Sequence, residues 1–155
     1  MAKGNGILLA AHPRGIFLEG ICGEIFSPGN LLQLDAAVEP VNGRYTFEEW
    51  DGTADGEQAI VIVAMPDKLQ GRTADTAYAA GDRCFAYVPC PGEELNVMVQ
   101  ASAGALAIGA KLIRDDATGT LILTTGTPEQ EPFIILETAS DPASDSLIHC
   151  MATGC

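Results

Sequence analysis

Apolar residues along this chain gather in short runs, rich in β-branched side chains and cut apart every few residues by Gly, Pro, Asn or Asp. Runs of that length and composition predict strands, and no segment keeps the spacing of an amphipathic helix over several turns. The clearest are Tyr45 to Trp50, Gln58 to Met65, Arg83 to Val88, Leu95 to Gln100, Ala110 to Arg114, Thr120 to Thr125, Phe133 to Thr138 and Ser146 to Ala152. About eight short strands predict an all-β fold, a small barrel or sandwich.

Two of these strands differ in what must cover them. Leu95, Val97 and Val99 alternate with Asn96, Met98 and Gln100, which gives one apolar face and one mixed face. Ala59 to Met65 is apolar at every position, which predicts cover on both faces, by the core and by another element or subunit. Asn42-Gly43 and Asp51-Gly52 are tight-turn dipeptides, because Asn, Asp and Gly tolerate positive φ. Asp115 to Gly119 reads as a hairpin loop. Ala101 to Ile108 is Ala-rich enough for a short helical turn, with Gly104 and Gly109 weighing against it.

The first part of the chain has another character. Gly4, Gly6, Pro13, Gly15, Gly20, Gly23, Pro28 and Gly29 break it into pieces too short to make a core alone. It predicts an extended N-terminal arm over residues 1–34, ahead of a single β domain at 35–155. Ile7, Leu8, Leu9, Ile16 and Phe17 are apolar anchors that a free tail would leave in water. The competing reading makes Ile16 to Phe26 the first strand pair of the barrel.

Composition narrows the partners. The chain has 155 residues, with 8 Lys plus Arg against 21 Asp plus Glu and a formal net charge of −13. A surface that negative repels phosphate, so neither nucleic acid nor an anionic membrane is an expected partner. With 47% hydrophobic residues the chain can bury a core. No secretory leader and no stretch of roughly 20 apolar residues is visible, so synthesis and assembly in a cytoplasm are expected. Cys22, Cys84, Cys90, Cys150 and Cys155 are odd in number and form no Cys-x-x-Cys pair. Reduced, buried thiols are expected, with Cys155 the accessible exception.

The candidate chemistry is sparse. Glu48-Glu49 and Glu93-Glu94 are adjacent pairs, and neighbouring side chains on a strand point to opposite faces, so they read as solvated surface rather than acid-base pairs. Asp51 to Glu57 has the composition of a calcium loop without its spacing. His149 alternates with Leu147 and Met151 and reads as a structural histidine, while His12 precedes Pro13 in the arm. No Gly-x-Ser-x-Gly elbow and no phosphate loop occurs. The expectation is no catalytic residue, no cofactor and no metal.

A resemblance adds to this reading. Gly81-Asp82-Arg83, Phe85 to Pro89 and Pro91 to Val99 resemble head decoration (cement) proteins of tailed bacteriophages. The likeness continues through Ile108 to Leu112 and Asp116 to Leu121, and upstream through Ala10 to Gly15 and the Trp50 to Gly56 turn. It implies a non-enzymatic, β-rich protein that binds the outer surface of an icosahedral shell as a homotrimer and staples neighbouring copies of the major capsid protein. On that reading Ile7, Leu8, Leu9, His12, Pro13, Arg14, Ile16 and Phe17 are capsid-contact candidates. Ile60, Ile62, Phe85 and Tyr87 are trimer-contact candidates. The alternatives are another virion structural or host-surface-binding β module and, further off, a small trimeric β-fold enzyme.

Overall fold

Each of the eight apolar runs folds as a strand in a computed structural model of the chain, and three further strands precede them. The structure describes residues 8–10 by their backbone, and 15–35, 37–38, 40, 43–51, 60–101, 103–115, 118–124 and 132–153 in full. The strands are β1 (Leu8–Ala10), β2 (Ile16–Cys22), β3 (Leu31–Leu34), β4 (Tyr45–Glu49), β5 (Ile62–Met65), β6 (Arg83–Val88), β7 (Glu94–Val99), β8 (Lys111–Arg114), β9 (Leu121–Leu123), β10 (Phe133–Ile135) and β11 (Ser146–Ala152). The fold is all-β. A 3-10 turn at Lys68–Gln70 is the helical element among the described residues. The Ala-rich stretch forms no helix there, and Leu106 instead makes an isolated bridge to Ala139.

The strands close into two barrels. The first is the ring β2-β4-β3-β5-β6; in the second, β7-β11-β10-β8-β9 is closed by a pairing of β9 back onto β7, with β1 added beside β7. The two rings have the same topology. In each, the first strand runs parallel to the third, and every other contact is antiparallel.

The registers repeat as well. Cys22 lies beside Phe47 in the first ring and Val99 beside Leu121 in the second. Leu32 pairs with Ile62 as Leu112 does with Phe133, and Ala64 pairs with Ala86 as Ile135 does with Cys150. Gly20 faces Cys84 where Val97 faces Ile148. Even the turn before the second strand recurs: Gly29 N–H donates to Ala64 O at 2.9 Å, and Gly109 N–H to Ile135 O at 2.9 Å. The chain is therefore a tandem duplication of one five-stranded barrel. Within the segment Phe26 to Asp35 and its counterpart Leu106 to Asp115, Gly29/Gly109, Leu32/Leu112 and Asp35/Asp115 keep the same residue.

Period-two alternation sends one side chain in two into each barrel, and the interiors correspond position by position. Cys22, Phe26, Leu32, Phe47, Ile62, Ala64, Cys84 and Ala86 fill the first. Val99, Leu106, Leu112, Leu121, Phe133, Ile135, Ile148 and Cys150 fill the second. Buried thiols sit in both, as expected; Cys155 lies outside the described residues.

The boundary expected near residue 34 takes a different form. Ile16–Cys22 and Leu31–Leu34 are staves of the first barrel, because only with both does that ring close. What precedes them pairs with the second barrel through β1, where Leu8 lies opposite Leu95 and Ala10 opposite Glu94. Nor is 35–155 one unit, since the first barrel ends at β6 and the second begins at β7.

The equivalent glycines test how the barrels meet. Gly29 and Gly109 both have positive φ, 95° and 84°. A Cβ on Gly109 would meet nothing within 4 Å, whereas one on Gly29 would lie 2.3 Å from Leu147 Cδ2 of the other barrel. Gly109→Ala is predicted to cost about 1–2 kcal/mol, the strain alone. Gly29→Ala is predicted to cost more, about 3 kcal/mol or above, because Leu147 must also move. Urea denaturation of the two variants measures the difference.

Candidate functional site

Two features carry charge and exposed apolar area: the seam between the barrels and the uncovered face of the first. At the seam, outward-facing Leu31, Val63 and Tyr87 of the first barrel join the apolar cluster of the second. The all-apolar strand thus has its second face covered, and the cover comes from the same chain. Leu31 N–H donates to Gly119 O at 2.7 Å and Met98 N–H to Gly29 O at 2.9 Å across this seam. The Arg114 guanidinium stacks 4.6 Å over the Trp50 ring, joining β8 to the residue after β4.

Glu93 corrects the surface reading of the adjacent glutamates. It is 2% exposed and accepts from the Tyr87 hydroxyl at 2.8 Å and the Cys90 N–H at 2.7 Å. The turn Pro89 to Gly92 that joins the barrels folds this side chain inward, while Glu94 stays at the surface and pairs with His149 Nε2 at 3.0 Å. Burial, followed by this carboxylate, pushes the Tyr87 hydroxyl well above its usual pKa. The main-chain N–H of His149 donates to Glu137 at 2.9 Å.

Glu49 is the second correction. It is half-buried beside Asn30, whose Nδ2 donates to it and also reaches Gly119 O at 3.5 Å. Desolvation, then the charges of Glu24 and Asp145, raise its pKa to about 7. Glu48 is raised in the same direction, first by desolvation. Burial also raises Cys150, and a hydrogen bond to Cys22 with burial raises Cys84, so both stay neutral thiols.

The open face lies at β2 and β6, beside the 3-10 turn. Ile16 is 59% and Phe17 61% exposed, and the Phe17 ring lies 4.6 Å from that of Tyr87. Phe17, Met65, Pro66, Lys68, Leu69 and Phe85 line a cleft of about 350 Å³. Its floor is set by Asp67, fully buried, which caps the 3-10 turn through Leu69 N–H at 3.0 Å and pairs with Arg83 at 3.1 Å. Arg83 in turn stacks 5.2 Å over Phe85.

The candidates from sequence are scattered over these features. Phe17 and Phe85 come together at the cleft, whereas Ile16, on the other side of β2, is exposed separately. Ile60 is half-exposed, whereas Ile62 and Tyr87 are buried inside the chain and serve its own packing. Ile7, His12, Pro13 and Arg14 lie outside the described residues, as do the side chains of Leu8 and Leu9 and the bulk of the Asp51 to Glu57 loop. Among the described residues no group of three or more His, Cys, Asp or Glu is placed to hold a metal ion. Asp67 and Leu69 escaped the sequence reading, because only the 3-10 turn places them beside Phe17.

No family model and no curated protein matches the chain. A solved structure does. The chain shares its fold with the head fiber gp8.5 N base of bacteriophage phi29, at a TM-score of 0.52 and 13% sequence identity, over 90% of this chain and 94% of that one.

Two predictions follow from the buried carboxylates. Glu93→Ala leaves a buried hydroxyl and a buried N–H without their acceptor and is predicted to cost about 2–4 kcal/mol. Glu94→Ala, at a half-exposed pair, is predicted to cost well under about 1 kcal/mol; chemical denaturation separates them. Glu49 titrates near 4.5 unfolded and about 7 folded, so the fold favours its protonated form. Its contribution is complete below the unfolded value and is lost as pH rises through the folded one. Stability is predicted to fall between about pH 5 and 8, and Glu49→Gln to flatten that slope.

Proposed function

We propose that this chain is a structural protein of a bacteriophage head, bound as a homotrimer to the outer surface of the shell and linking neighbouring copies of the major capsid protein. The observation that carries this reading is the likeness in fold to a head fiber base over nine-tenths of the chain. The resemblance of Gly81 to Val99 to head decoration proteins points the same way. Both barrels are filled by their own side chains, which suits a rigid fitting better than a substrate pocket. An acidic exterior is acceptable outside a DNA-filled shell, where the protein does not touch the genome.

A second reading has one observation in its favour. The similar structure is the base of a fiber rather than a cement protein, so the chain acts in this version as an attachment base at the head surface. An enzyme has no comparable support.

Electron microscopy of the parent particle tests the proposal. The expected result is density for two small barrels per chain, grouped in threes on the outside of the shell and touching more than one coat subunit. Absence of the chain from purified particles overturns the proposal, and density continuing outward into a fiber selects the second reading.

A further inference from the structure

The duplication makes the two barrels comparable edge by edge, and one edge differs. In each barrel the first strand pairs along its whole length on one side, but with the third strand only near its C-terminal end. β4 meets β2 at Gly20, Ile21 and Cys22, and β9 meets β7 at Val99. The N-terminal half of that side is left over. In the second barrel it is filled: β1 lies antiparallel to β7 at Glu94 and Leu95. The equivalent positions in the first barrel are Phe17 and Leu18, and among the described residues no strand pairs with them on that side.

The first charge on this edge is Glu19, which is paired with Arg44 at 3.0 Å. Ile16, Phe17 and Leu18 include no charge, no Pro and no Gly, in a chain of net charge −13. Ile16 and Phe17 are mostly exposed. The second barrel shows what fits such an edge, a short antiparallel strand of sequence Leu8-Leu9-Ala10. That strand is the last in its own sheet, so its far side is also open among the described residues.

We infer that the edge Ile16–Leu18 of one copy pairs with the outer side of β1 in a second copy. β1 then lies between two equivalent edges, its own β7 and the neighbour's β2, antiparallel to both. Both segments are uncharged, so two acidic chains meet where neither brings a like charge to the contact. The contact is head-to-tail, and its repetition around a closed ring leaves no edge free. The inference rests on the trimer of the proposed function and supplies its contact.

Sedimentation of the full chain, with three sets of variants, tests it. The wild type is expected to assemble, and the double variant Ile16→Lys, Phe17→Lys to dissociate at about a hundredfold higher concentration with an unchanged β-sheet circular dichroism spectrum. Leu9→Pro, which disables β1 from the other side, is expected to behave in the same way. Mixing the double variant with Leu9→Pro leaves one intact contact and is expected to give a one-to-one dimer. Undiminished assembly of the double variant overturns the pairing while leaving a trimer through another surface. A wild type that sediments as one chain at every concentration overturns the pairing too. Its presence on the particle, seen by microscopy, would then keep the capsid reading and make a coat segment the occupant of the edge.

Discussion

Closure through a parallel pairing of first and third strands is the constraint on which the structure depends. Five strands of three to seven residues are too few to pack as an open sheet with a core. Rolled into a ring, they pair all but short stretches of their edges and enclose an interior just wide enough for side chains. The closing contacts are short, Gly20 to Cys22 with Tyr45 to Phe47 in one barrel and Val99 with Leu121 in the other. The inward-facing residues at those closures are fully buried: Cys22, Phe47, Val99 and Leu121.

Duplication then creates a second task, joining two small barrels firmly enough to act as one body. The seam combines main-chain bonds from the turns at Gly29 and Gly119 with an apolar cluster in which outward residues of one barrel complete the core of the other. Glu93 belongs to this joint. Its buried carboxylate holds the hydroxyl of Tyr87 and the N–H of Cys90, so the last strand of the first barrel and the connecting turn are fastened together. A buried acid there is a costly choice that hydrogen bonds make tolerable, and it specifies one conformation of the Pro-rich connection.

The surfaces left over are what a structural role uses. Internal faces are consumed by the two cores and the seam, including the strand Ile62–Met65, which the sequence pattern alone made a candidate for contact between subunits. The start of β2, where Ile16 and Phe17 are exposed and one strand edge is bare among the described residues, is the place where apolar area and main-chain donors remain together. β-strand addition at such an edge couples side-chain burial to main-chain bonds, a combination suited to permanent assembly.

Local pattern was sufficient for the strands and for the all-β class. Arg83–Val88 and Ser146–Ala152 appear with the bounds that their apolar runs suggest, because alternation and flanking turn residues act within a few positions. The buried thiols were legible for the same reason. Pairing partners were not. That Ile16–Cys22 closes a ring by running beside Tyr45–Glu49 depends on contacts far apart in sequence, and Gly-rich spacing alone made the segment look like an arm. The duplication stayed hidden because the two barrels share topology and buried positions while keeping few of the same side chains, a barrel interior asking only for apolar volume. Glu93 and Glu94 are neighbours of one chemistry, and only the tertiary structure decided that one is buried against Tyr87 and the other faces water, since the turn before them sets which side of the strand each occupies.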